Sequence, residues 1–173
     1  MMTARFDSLN ILVIDDNPQM RTILSTVLLA VGVGRLHHAE NGRDGLMIVK
    51  THPVDVVYVD LEMPIMDGLE FIAAIRKLDT EARYTPVIMV TGHSFGPSVF
   101  AARDAGMTEF LTKPVTGQSI VQRLDRVIFH PRQFIRSPNF VGPDRRRRAD
   151  ASYAALGRRR TDRNRPVVDV IEL

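Results

Sequence analysis

Asp60 ends an apolar run that includes Val54, Val56, Val57, Tyr58 and Val59, just ahead of a turn built from Met63-Pro64 and Asp67-Gly68. Other polar groups end apolar runs in the same way: Asp15 with Asp16, then Thr91, then Lys113. Taken singly, each has an ordinary explanation, since Asp and Thr form turns after strands and a lysine is usually solvated. Taken together they describe a site. Three crowded carboxylates repel one another unless a cation neutralises them. An all-oxygen set that keeps several waters suits Mg²⁺ better than a transition metal. A carboxylate beside such a metal can act as a nucleophile toward phosphorus. Lys113 would offset charge on the phosphoryl oxygens, and the Thr91 hydroxyl could donate a hydrogen bond to one of them.

These groups meet only if the elements bearing them lie side by side. Leu9 to Ile14 reads as a strand ending on Asp15 and Asp16. Asn17 is a good N-cap, Pro18 suits the first helical position, and Met20, Ile23, Leu24, Val27, Leu28 and Val31 keep the spacing of one buried helical face up to Gly32. Leu36 to Ala39 predicts a second strand, and Asn41-Gly42 opens a helix that stops before Pro53. After the strand ending at Asp60, Asp67 caps a helix whose Leu69, Ile72, Ala73 and Ile75 face inward. Pro86 to Val90 is a fourth strand; Phe95 to Ala105 is a helix with Phe100 and Ala101 as its partial apolar face, ended by Gly106. Met107 to Leu111 is a fifth strand, and a last helix from about Thr116 to Phe129 carries Ile120, Leu124, Val127 and Ile128. Such alternation implies an α/β, flavodoxin-like, doubly wound five-stranded parallel sheet with helices on both faces. In the strand order 2-1-3-4-5, strands one and three are neighbours at the switch point, which brings Asp15, Asp16 and Asp60 to one crevice.

With those residues in view, the segments ILVIDDNPQMR, AENGRDGL, DVVYVDLEMPIMDG, PVIMVTG and EFLTKPV resemble, in order and spacing, the receiver domain of two-component response regulators over residues 9 to 129. The resemblance implies that Asp60 accepts a phosphoryl group from a histidine kinase or a histidine phosphotransfer protein. It implies Mg²⁺ on Asp16, Asp60 and the backbone carbonyl of Glu62, with Asp15 helping through water, and phosphoryl oxygens bound by Thr91 and Lys113. Phe110 occupies the position of the aromatic that turns inward as Thr91 moves, and Lys113-Pro114 that of a cis peptide. Glu62 and His93 resemble positions that tune dephosphorylation. Output would be phosphorylation-dependent binding of a downstream protein through the fourth helix, fifth strand and fifth helix. An Asp-nucleophile, Mg-dependent phosphatase of the haloacid dehalogenase type is the enzyme alternative. That family needs Asp-x-Asp, whereas this chain has Asp15-Asp16-Asn17, so the chain is read as a signalling protein and not as an enzyme.

The net charge of +3 on 173 residues conceals an asymmetry. Residues 1–129 carry 12 basic and 15 acidic groups, whereas residues 130–173 carry 11 arginines and 5 acids. The division is therefore read as a receiver domain over 1–129 and a basic, largely disordered tail over 130–173. In that tail Phe140-Val141-Gly142-Pro143-Asp144 followed by four arginines is echoed by Tyr153 to Gly157 followed by three. The tail is too short for a helix-turn-helix output domain. An acidic protein or anionic surface is the preferred partner for the arginines, ahead of nucleic acid and of a plain linker. Val167 to Leu173 alternate weakly and read as a frayed end. The chain contains no cysteine, and no apolar run approaches the roughly 18 residues of a membrane helix, so a cytoplasmic protein is expected.

Overall fold

A computed structural model of the chain describes residues 6–92, 96–144 and 170–172. Strands β1 (Asn10–Ile14), β2 (Arg35–Ala39), β3 (Val56–Asp60), β4 (Val87–Thr91) and β5 (Glu109–Thr112) alternate with helices α1 (Pro18–Ala30), α2 (Gly42–Thr51), α3 (Gly68–Arg76), α4 (Pro97–Ala105) and α5 (Gly117–Phe129). All five strands pair in parallel, in the order β2-β1-β3-β4-β5. This is the flavodoxin-like winding that the alternation implied.

The period-two geometry of a strand divides the core into two layers. Ile11, Val13, Val56, Tyr58, Ile88 and Val90 meet Leu24 and Leu28 of α1 and Ile120, Leu124 and Val127 of α5. Leu12, Ile14, Val57, Val59, Val87 and Met89 turn the other way, onto Val49, Phe71, Ile72, Ile75 and Ala102 of the remaining helices. Each such fully buried aliphatic side chain contributes about 1.5–3 kcal/mol. The phenol of Tyr58, buried among them, donates to the Ile120 carbonyl at 2.9 Å, which satisfies its polar tip while burial pushes its pKa up.

Local chemistry sets the helix starts. The Asn17 side chain accepts from Gln19 N at 2.9 Å ahead of Pro18, Asp67 and Glu70 close a capping box on α3, and Thr116 and Ser119 do so on α5. Three residues expected on buried helical faces lie elsewhere. Ile23 is 45% exposed because Leu24 and Leu28, with Met20, Val27 and Val31 beside them, already fill the inward stripe of α1. Phe100 is 55% exposed and Ala101 is exposed; α4 instead turns Ala102 inward, with Val99 and Ala105 beside it. That is the neighbouring i, i+3 face of the same helix.

Packing continues beyond Phe129, where little order was expected. Strands β6 (Phe134–Ser137) and β7 (Phe140–Pro143) form an antiparallel hairpin, and β8 (Val170–Glu172) pairs in parallel with β6. Two prolines of this segment are placed where a strand tolerates them, Pro138 in the two-residue turn and Pro143 at the end of the edge strand β7. Phe134 is 1% exposed, stacked edge-on to Tyr84 with ring centres 6.0 Å apart. Below it lies Arg76, buried, donating to the carbonyls of Gly106, Arg83 and Thr85 at 2.7–3.0 Å. Gly106 ends α4 at φ 102°, a conformation suited to glycine, and a Cβ there would lie 2.7 Å from the Val141 carbonyl. Likewise a Cβ at Gly142 would lie 2.8 Å from Cα of Gly106, so the hairpin docks backbone to backbone. The arginine clusters at 145–148 and 158–160 lie outside the described residues, as does the echo at 153–157.

Candidate functional site

Asp15 follows β1, Asp60 ends β3, Thr91 ends β4 and Lys113 follows β5, so parallel pairing alone delivers all four to the carboxyl edge of the sheet. Asp15 is 1% exposed and Asp60 6%, whereas Asp16 is open to solvent. One oxygen from each of the three carboxylates falls within 4.8 Å of the others. The Lys113 ammonium donates to Asp60 Oδ1 at 2.7 Å and lies 3.7 Å from Asp15 Oδ2. Burial is the main reason the Asp60 carboxyl is held above its ordinary pKa, against the opposing pull of Lys113. Burial likewise raises that of Asp15, partly countered by the Asn17 amide. At Lys113 burial disfavours the ammonium, but the hydrogen bond and charge of Asp60 outweigh it and raise the pKa.

The surrounding backbone fixes these groups. The Asn17 amide donates to Asp15 Oδ1 at 2.8 Å, and Arg21 Nη1 donates to the Asp15 carbonyl at 2.7 Å while Nη2 pairs with Glu40 at 2.9 Å. The Lys113 amide donates to the Thr91 carbonyl at 2.8 Å, locking the ends of β4 and β5 together, and the Lys113–Pro114 peptide is cis. Gly68 opens α3 against the Asp60 carbonyl; a Cβ there would lie 2.3 Å from that oxygen. Between β3 and α3, Met66 N donates to Pro64 O at 2.8 Å across Ile65, whose φ is 72°. Such a left-handed residue costs about 1–2 kcal/mol, and the turn is braced by Gly42 N donating to Met66 O at 3.0 Å.

Not every expected residue joins the cluster. Thr91 is buried at the same edge, one residue beyond the Asp60–Val90 pair in the β3–β4 register. Phe110 stands back from it, half-buried on β5 opposite Met89, with its carbonyl accepting from Arg123 Nε at 3.0 Å. Glu62 is exposed in the turn after β3, and His93 lies outside the described residues. Sequence reasoning used Asn17 only as a helix cap and Gly68 only as a turn former, and gave Arg21 no role. The available signals were the placement of Asn17 two residues after Asp15, and of Arg21 one helical turn further on.

The donor set suits a hard divalent cation. Asp15 Oδ2 is buried and makes no hydrogen bond among the described residues, and carboxylates this close are stable together only when positive charge offsets them. With this geometry the family assignment is direct: the family model of the response regulator receiver domain matches residues 11–125, and the chain belongs to that family of two-component signalling modules. Chemotaxis protein CheY-3 of Vibrio cholerae is 30% identical over 120 residues, which cover 69% of this chain and 92% of that protein. The transcriptional regulatory protein GlrR of Escherichia coli is 35% identical over 116 residues, 67% of this chain but 25% of the relative. The solved chemotaxis response regulator CheY4 of Vibrio cholerae superposes with a TM-score of 0.65 at 28% identity, covering 69% of this chain and 98% of that one. Among the described residues no helix is long and apolar enough to cross a membrane.

Proposed function

We propose that this protein is a cytoplasmic response regulator that accepts a phosphoryl group on Asp60 from the phosphohistidine of a histidine kinase or phosphotransfer protein. The observation that carries the reading is the Asp60 carboxylate itself, buried at the end of β3, clustered with Asp15 and Asp16 and held 2.7 Å from the Lys113 ammonium.

In the step, a carboxylate oxygen of Asp60 attacks phosphorus, the phosphorus–nitrogen bond of the donor breaks, and the imidazole leaves with the bonding pair and takes up a proton. Desolvation keeps Asp60 more basic than a solvated carboxylate, which favours attack. The Lys113 ammonium, already at the carboxylate, is positioned to follow the charge onto the phosphoryl oxygens. Mg²⁺ held by Asp16, Asp60 and the Glu62 carbonyl, with Asp15 acting through water, would supply the remaining countercharge. Thr91 then hydrogen-bonds a phosphoryl oxygen, and its movement together with that of Phe110 alters the surface of α4, β5 and α5, where a downstream protein binds.

Incubation with a radiolabelled small phosphodonor such as acetyl phosphate tests the assignment. The wild-type chain is expected to take up one label, and Asp60→Asn, nearly isosteric but a poor nucleophile, none. Full labelling of that variant would sink the assignment of Asp60.

A further inference from the structure

At the other end of the sheet, between the C-terminal ends of α3 and α4 and the β6–β7 hairpin, lies a cleft of about 690 Å³. That volume is within the range of small-molecule sites, about 300–1,000 Å³. Its wall carries Arg76, Lys77, Arg83 and Arg136 against a single acid, Asp104, which itself lies 3.7 Å from Arg103. The basic groups differ in what they offer. Arg76 has committed its donors to backbone carbonyls and contributes a fixed positive field, since burial lowers its pKa only to about 9. Arg83 donates from Nη2 to the Arg76 carbonyl at 3.2 Å, but its Nε–H is buried and makes no hydrogen bond among the described residues. A buried donor left in that state is unfavourable unless a ligand supplies the acceptor. Lys77 and Arg136 are exposed at the rim.

A cation or a neutral sugar would be repelled or left indifferent by this wall, whereas phosphate oxygens match guanidinium and ammonium donors in charge and geometry. Phe140, half-buried in the same wall, adds a planar apolar surface on which a ring can stack. We infer that the cleft is a binding site for a phosphate-bearing small molecule of nucleotide size, its phosphates on Lys77, Arg83 and Arg136 and its ring on Phe140. Because the wall is made by both the receiver fold and the hairpin, such a ligand bridges the two. The site is built from residues that take no part in the Asp60 cluster.

The test uses the full chain and ATP carrying a fluorescent methylanthraniloyl group, followed by anisotropy at physiological salt, with unlabelled ATP and inorganic pyrophosphate as competitors. Saturable one-site binding is expected, weakened at least tenfold in Lys77→Gln/Arg136→Gln, whose exposed positions leave the core intact. Labelling of that double variant by acetyl phosphate at the wild-type level confirms that it is folded. Pyrophosphate is expected to compete at least tenfold less well than ATP; equal competition would overturn the nucleotide assignment. Absence of binding would overturn the site altogether. So would unaltered affinity in the double variant accompanied by loss in a chain with Arg145, Arg146, Arg147 and Arg148 all changed to Gln, since the probe would then be held by that cluster.

Discussion

The guanidinium of Arg76 lies 5.0 Å from the ring centre of Phe134, joining the end of α3 to the first strand beyond the five-stranded sheet. A cation in this setting gains from the ring's negative face, by about 2 kcal/mol or more once water is excluded. Phe134 also shields the carbonyl cage that holds Arg76.

Phe134→Ala should therefore lower the stability of the receiver fold itself by about 3–5 kcal/mol, the range for removing a buried aromatic. Urea denaturation followed by circular dichroism measures it. A loss below about 1 kcal/mol would show the hairpin to be an appendage.

Asp16→Ala tests the metal. The side chain is solvent-exposed, so its loss should leave the fold at least as stable by relieving repulsion from Asp60, while Mg²⁺ affinity measured by calorimetry falls at least tenfold, about 1.4 kcal/mol. An unchanged titration would place the ion elsewhere.

Thr91→Ala separates chemistry from switching. Neither the nucleophile nor Lys113 is touched, so labelling by acetyl phosphate should persist, but the chemical-shift change at Phe110 on phosphorylation should shrink. If that change kept its wild-type size, the coupling of Thr91 to Phe110 would have to be abandoned.

His37 gives the chain a pH dependence remote from the Asp60 cluster. Burial first, then the charges of His52, Arg35 and His38, lower its pKa below the ordinary histidine value; its Nε2 is buried without a hydrogen bond among the described residues, and its ring centre is 5.0 Å from that of His52. The unfolded chain thus binds the proton more readily. Stability should fall as the pH drops from the ordinary histidine pKa toward the lowered one, and stay level above it. His37→Gln should reduce the difference in melting temperature between pH 7.5 and pH 5.5; an unaltered difference would assign the effect to other groups.

The fold was legible because its signals are local and repeated. β3 and β4 are buried at every position and read as continuous apolar runs, and Asn17, Asp67 and Thr116 announce their helices by side-chain caps. The carboxylate cluster was legible for the same reason: parallel strands carry their last residues to one edge, so strand order sufficed to bring Asp15, Asp16 and Asp60 together. What escaped was set by tertiary contact. Nothing local marks Arg76 as buried, since a basic residue in the last turn of a helix is ordinarily solvated beside the helix dipole. The hairpin is short and draws its order from Tyr84, Arg76 and Gly106, which lie 28 to 58 residues upstream of Phe134.

The backbone contact between Gly106 and Gly142 has a consequence for inheritance. In a receiver without the hairpin, position 106 need only satisfy its own left-handed turn, which asparagine can also adopt. Here a side chain at 106 would strike the Val141 carbonyl, and one at 142 would strike Gly106. The two glycines should therefore be gained and lost together among descendants of this sequence, with position 106 free to drift once the hairpin is deleted.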